Sequence, residues 1–422
     1  MRTTEGAALP GRPRDPLPTG ARDVLPVEAG ELRAAEDALR RAFRRYGYRE
    51  VRTPVLEFAQ AVDRAAAEGA TAQAYRLFDP DGRVLVMRPD LTIPVARLIA
   101  TRLTDHPGPL RVSYTGPAFR LPRPGRAERS EHRQAGVELV GEAGPAADAE
   151  IVALLAEALA EAGLRGFRIG VGDVSLTAAV LRGLDVPEAE AARLRAAVGA
   201  RDLVAWRAIA GALDLPEAER GLLAALPGMR GGAEVPARVA ETVPAAGEAC
   251  DRLVRTLELL AGAGVADRVL VDLGILRDWP YYSGLVVEAY APGVGEPVAK
   301  GGRYDGLGGV FGAPRPAVGV AIELDGLHRA LAAAEAVATG PVAGVVLVGG
   351  LDAERPAAEA LRRRGLPVVA LAGGDRRADE VARIEGWRFV AWRDGDAYRV
   401  RDRASGADVT CARLEEAIPS PS

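Results

Sequence analysis

Apolar and alanine positions recur at helical spacing from about residue 27 to 47 and stop at Tyr46-Gly47-Tyr48. This predicts a helix closed by a glycine cap. Arg49–Leu56 then reads as a strand interrupted at Pro54, which suits an edge or an interface. Further apolar runs predict strands at Val84–Met87, Leu110–Tyr114, Ala118–Leu121 and Gln134–Val140, with a helix at Ile93–Leu103. Hairpin-like strand alternation with intervening helices predicts a largely antiparallel α+β sheet and argues against a doubly wound one.

From about 146 to 265 the pattern turns helical. Ala149–Ala162 is a long amphipathic stretch, and shorter Ala/Leu/Arg/Glu segments follow, with breaks at Pro187, Pro216, Pro227 and Pro236. A helical insertion, about 172–265, is the simplest account. Strand signals return at Val269–Leu273, Gly284–Tyr290 and Pro316–Ile322, so the sheet is completed after the insertion. A core over 18–335 follows. Beyond the Thr339-Gly340-Pro341 linker, apolar runs at Val342–Val348 and Pro367–Ala372 flank a helix at Ala353–Arg364. Arg388–Trp392 and Tyr398–Arg401 complete a small α/β domain over 341–417.

Length fits this division, since 422 residues exceed the usual size of one hydrophobic core. Lys300 is the only lysine among 54 basic residues, most simply a compositional bias. The net charge of -4 argues against a large nucleic-acid surface, because phosphate contacts require a basic face. Cys250 and Cys411 stand outside any metal or disulfide spacing, so a reducing compartment and no metal are expected. No apolar run reaches the roughly 18 residues of a membrane span. Residues 1–17 are rich in Gly, Pro and Arg, lack a hydrophobic signal region, and read as a disordered arm. Cytoplasmic location is the expectation.

Several segments carry candidate chemistry. Arg88-Pro89-Asp90-Leu91-Thr92 joins a strand to a helix, so Asp90 or Thr92 reads either as an N-cap or as a polar group facing a pocket. Arg120, Arg123, Arg126, Arg129 and Arg133 lie between two strands, as a solvated hairpin tip usually would. Arg120 differs because it directly follows an apolar strand, and its guanidinium could hold a carboxylate or phosphate through paired hydrogen bonds. Gln134 and Glu138 are four apart on the return strand and share a face. Glu138 is an acid in an apolar strand. Burying it unpaired is costly, so it requires a cationic or hydrogen-bonding partner. Arg277, Tyr281 and Tyr282 precede another strand, either as an aromatic turn on the core or as groups that stack on a ligand and bond to it. Gly301-Gly302-Arg303-Tyr304 permits close backbone approach and adds a further tyrosine. The histidines are scattered, and no catalytic set or Walker loop is present.

These segments, in this order, resemble histidyl-tRNA synthetase over roughly residues 17–330. The likeness includes the opening Leu17–Pro26, the Tyr48–Pro54 strand of the dimer-forming first motif, and the Gly301–Gly306 and Arg315–Ile322 run of the third motif. The final α/β segment resembles a trimmed anticodon-binding domain. The closer resemblance is to a paralogue family, the regulatory subunits of ATP phosphoribosyltransferase, carried by Arg88-Pro89-Asp90-Leu91-Thr92, Tyr281-Tyr282-Ser283-Gly284 and Gln134-Ala135-Gly136-Val137-Glu138. By that resemblance Asp90, Thr92, Arg120, Gln134, Glu138, Arg277, Tyr281, Tyr282 and Tyr304 correspond to histidine-contacting positions.

Two departures from the synthetase pattern stand out. Glu323-Leu324-Asp325-Gly326-Leu327 replaces Gly-Leu-Glu-Arg-Leu, removing an arginine for ATP phosphates, and Pro122 replaces the glutamate two residues after the second motif's arginine. Losing one charge-assisted phosphate contact costs about 1.5–3 kcal/mol. The resemblance therefore implies a non-catalytic subunit without a cofactor. Its implied partners are a short-form catalytic ATP phosphoribosyltransferase subunit, L-histidine as effector, and a homodimer core within a hetero-oligomer. The rival expectations are an active histidyl-tRNA synthetase or another amino-acid-binding paralogue.

Overall fold

The computed structural model describes residues 17–66, 70–122, 129–200, 202–275, 282–336 and 342–419. The arm expected over 1–17 lies, apart from Leu17, outside the described residues, as do Arg123, Arg126, Arg277 and Tyr281. The chain divides into two compact units.

The strands of the first unit, in chain order, are β1 (Arg49–Glu50), β2 (Leu56–Phe58), β3 (Arg76–Phe78), β4 (Val84–Met87), β5 (Leu110–Phe119), β6 (Glu131–Val140), β7 (Arg168–Asp173), β8 (Arg230–Gly231), β9 (Val269–Asp272), β10 (Leu285–Tyr290), β11 (Ala299–Arg303) and β12 (Ala317–Glu323). Nine of them form one sheet in the order β1-β5-β6-β12-β11-β10-β7-β9-β8. Only β1/β5 and β7/β9 run parallel, which gives the antiparallel α+β sheet that the strand alternation predicts. A small antiparallel sheet, β2-β4-β3, stands apart.

The two faces of the large sheet differ in chemistry because side chains alternate along each strand. One face carries Ala135, Val137 and Leu139 of β6 with Val318, Val320 and Ile322 of β12. These are buried under the helix Pro145–Glu161, whose Ile151, Leu154, Leu155 and Leu159 are fully buried. Each such side chain contributes roughly 1.5–3 kcal/mol relative to exposure. The other face carries Gln134, Gly136 and Glu138, then Gly319, Ala321 and Glu323, then Lys300 and Gly302. It is short of side-chain volume and rich in charge, as the floor of a polar cavity must be.

Several predicted bounds need correction. Leu110–Tyr114 and Ala118–Leu121 form one strand, Leu110–Phe119, continuous through Gly116 and Pro117. Arg49–Leu56 is not one strand: its ends fall in β1 and β2, in different sheets, with Pro54 between them. Arg168–Asp173, read from sequence as part of the helical stretch, is a buried strand between β10 and β9. The helical insertion then runs from Val174 to Gly262, with Trp206 fully buried and its indole N–H donating to the Leu223 carbonyl at 2.7 Å. Pro187 and Pro216 sit at helix starts, but Pro236 does not break its segment. It lies in the first turn of Glu234–Thr242, where a missing N–H costs nothing.

The second unit joins Val24–Glu31 to the C-terminal segment. Its strands β13 (Val342–Val348), β14 (Val368–Leu371), β15 (Trp387–Asp394), β16 (Ala397–Asp402) and β17 (Ala407–Cys411) pair in the order β14-β13-β15-β16-β17. Helix Leu351–Arg363 packs on one face. Asp375–Ile384, which sequence reasoning did not anticipate, packs on the other. No described helix is long and apolar enough to cross a membrane.

Candidate amino-acid site

The polar face of the sheet is floored by glycine where it faces Glu138. In the register, Glu138 lies opposite Gly319, and Gly319 opposite Gly302. A Cβ at position 319 would overlap the Glu138 carboxylate, and one at 302 would come 2.8 Å from the Tyr282 ring. Gly136 does the same for Tyr114, whose ring occupies the space a side chain would fill.

Glu138 is almost fully buried, and its carboxylate gathers hydroxyl donors. Tyr114 donates to Oε1 at 3.2 Å, Tyr304 donates to Oε2, and Thr92 joins the same cluster. Burial pushes the carboxyl up from 4.5 to about 7, although the three hydroxyls pull in the opposite direction. The Tyr114 phenol is raised by its own burial and by the neighbouring Glu138.

Asp90 serves both readings that its sequence left open. One carboxylate oxygen accepts the Ile93 N–H at 2.9 Å and so caps the helix Thr92–Arg102. The other is buried and has no hydrogen-bond partner. Burial raises the Asp90 carboxyl, offset by the Ile93 bond and by Arg120. Arg88 fixes this turn: its guanidinium donates to the carbonyls of Pro117 at 2.8 Å and Thr53 at 2.9 Å. Arg120 is anchored by Nε donating to the Pro89 carbonyl at 2.8 Å. Gln134 donates to Glu323 at 2.8 Å, while its own carbonyl oxygen is buried without a partner.

These groups meet around a cavity of about 80 Å³, several times the roughly 10–15 Å³ that one water needs. Of the nine residues singled out from sequence, Asp90, Thr92, Arg120, Gln134, Glu138, Tyr282 and Tyr304 line it together. Arg277 and Tyr281 lie outside the described residues. Lys300, Gly319 and Glu323 also line the cavity, and Tyr114 supports it. Sequence reasoning missed these roles, because they depend on which strands are neighbours. The available signal was the run of glycines and polar residues at alternate positions, Gly319, Ala321, Glu323 and Lys300, Gly302.

Other predicted cations are used elsewhere. Arg133 pairs with buried Glu36 at 3.1 Å, and Arg129 pairs with Asp325, which Arg22 also reaches at 3.0 Å. At Gly326, where the resembling synthetases carry an arginine, a Cβ would find ordinary contacts starting at 3.6 Å, so the fold does not require glycine there. Among the described residues no group of three or more His, Cys, Asp or Glu could hold a metal. The cavity offers unpartnered buried acceptors, a guanidinium and a carboxylate with phenols. That set suits a small zwitterion whose side chain carries a polar ring.

The comparisons with known proteins agree with this fold. The histidyl-tRNA synthetase family model matches residues 20–327. An ATP phosphoribosyltransferase regulatory subunit from Moorella thermoacetica is 43% identical over 87% of this chain and 94% of its own length. One from Rubrobacter xylanophilus is 39% identical over 92% and 93%. A solved structure from Bacillus halodurans, described as an ATP phosphoribosyltransferase regulatory subunit/histidyl-tRNA synthetase, is 29% identical with a TM-score of 0.79, covering 90% of this chain and 98% of that one. The chain therefore belongs to the ATP phosphoribosyltransferase regulatory subunit family, built on the histidyl-tRNA synthetase fold.

Proposed function

We propose that this chain pairs with a short-form catalytic ATP phosphoribosyltransferase subunit, supports its activity in the first step of histidine biosynthesis, and makes it sensitive to L-histidine bound in the cavity described above. The observation that carries the reading is the pair of buried oxygens on Asp90 and Gln134, both without partners and both in the lining of one cavity. A buried acceptor costs free energy until something donates to it, and an α-ammonium supplies three N–H groups. Thr92 would complete that cradle. Arg120 would take the ligand carboxylate, and Glu138 with Tyr304 and Tyr282 would take the imidazole. Arg277 and Tyr281 join the set by resemblance alone.

Nothing in this assignment activates an amino acid. Gly326 and Pro122 stand where two groups toward ATP would be, and the nearby Asp325 pairs with both Arg22 and Arg129. The synthetase reading is therefore not favoured. Regulation requires that histidine bind the inhibited assembly more tightly than the active one, a coupling typically worth about 1–3 kcal/mol. We further propose a homodimeric core formed through the Tyr48–Pro54 segment, within a cytoplasmic hetero-oligomer.

The test is reconstitution. Adding this chain to the purified catalytic subunit should raise phosphoribosyl transfer to ATP and make it inhibitable by histidine. A catalytic subunit that ignores the chain in both respects overturns the proposal.

A further inference from the structure

Glu323 occupies an unexpected position. It directly precedes the helix Leu324–Ala333, where a short polar side chain usually caps the helix, yet its carboxylate makes no cap hydrogen bond. It turns instead into the cavity and lies directly opposite Gln134 in the β6/β12 register, accepting the amide N–H at 2.8 Å. The resembling synthetases carry glycine at this position, so this carboxylate departs from the synthetase pattern.

A carboxylate offers only acceptors, whereas the two ends of a glutamine amide are chemically opposite. Facing Glu323, Gln134 must present its NH2 group there and its carbonyl oxygen to the other side. That oxygen is the buried, unpartnered acceptor of the cavity. Without a fixed partner the amide could rotate and present a donor to the ligand, which would repel an ammonium. Gln134 is itself only 3% exposed, so water cannot readily compensate for the wrong orientation.

We propose that Glu323 is the positioning residue that sets the amide orientation of Gln134 and thereby makes the cavity select ligands with an α-ammonium group. The proposal rests on the reading of the cavity as a histidine site and adds the determinant of its selectivity at the amino end. Glu323 lines the cavity beside Gln134, and in this proposal it acts through the amide it orients.

The experiment compares L-histidine with its 2-hydroxy analogue, imidazolelactate, by titration calorimetry on the full chain and on Glu323→Ala and Glu323→Gln. The two ligands differ only in ammonium versus hydroxyl. The wild type should prefer histidine. Glu323→Ala should weaken histidine by about 10- to 100-fold and leave imidazolelactate nearly unchanged, so that the preference collapses. Glu323→Gln, which can still accept one N–H, should fall between them, and it carries the comparison if the alanine variant does not fold. Equal weakening of both ligands would mean mere structural damage and overturns the proposal, as does unchanged histidine affinity. If the wild type binds no histidine, the histidine-site reading falls and this proposal with it. If the wild type binds but the variants keep its preference, only this proposal falls.

Discussion

Glu138 places a titratable carboxyl inside a sheet, under two phenols and beside a glycine that leaves it room. In the folded chain it holds its proton up to about pH 7, whereas an unfolded chain releases it near 4.5. Between those values the folded state binds more protons, so stability is fully present below the window and falls as pH rises through it. The expected slope is on the order of 1 kcal/mol per pH unit. Asp148, raised to about 6 by burial, adds the same sign over a shorter range. Denaturant unfolding across this window should show that loss, and Glu138→Gln should reduce it, most clearly above pH 6 where Asp148 no longer contributes. A wild-type profile that is level or rises with pH would contradict the assignment. The need for a partner at Glu138 was legible in the sequence, because an acid within Ala-Gly-Val-Glu-Leu-Val has no solvent to turn to. The identity of Tyr114 as one partner was not legible. It depends on β5 pairing with β6 in a register that brings Tyr114 opposite Gly136.

At the scale of elements, the end of β11 is pinned to the start of the helix Pro145–Glu161. Arg303, buried, donates from Nε to Asp148 at 2.9 Å, from Nη1 to Asp305 at 3.0 Å, and to the carbonyls of Glu142 and Gly144. Tyr304 follows directly and carries its hydroxyl to Glu138, so this ion pair anchors the strand end next to the hydroxyl cluster. Asp148→Ala would remove the more buried of the two carboxylates on this guanidinium and leave it Asp305 and the two carbonyls, at a cost of about 1.5–3 kcal/mol. Thermal and denaturant unfolding of that variant should show the loss, together with weakened histidine binding. An unchanged midpoint would show that the pair contributes little. The same scale explains what was misread. Gly170 and Gly172 lie on the polar face of β7 between Ile169, Val171 and Asp173, so the strand lacks the alternation of bulky apolar residues that marks a half-buried strand. The helix Pro145–Glu161 was easy to find, because a long apolar and alanine-rich stretch at helical spacing has no strand reading.

For the whole molecule, the resemblance to the synthetase family fixed the architecture because it rests on many separated motifs in one order. A few positions near the cavity already separate this chain from the activating pattern. Glycine stands at 326, proline at 122 and a carboxylate at 323, while Asp90, Thr92, Arg120, Gln134, Glu138, Tyr282 and Tyr304 line one cavity. Local departures of this kind remove groups that would meet a triphosphate and leave the polar cavity proposed above as the histidine site. The most direct measurement is equilibrium titration of the purified chain with L-histidine, alongside Glu138→Ala. The account predicts saturable binding at one site per chain that is lost in the variant. No binding to the folded wild type, or undiminished binding in Glu138→Ala, would contradict it.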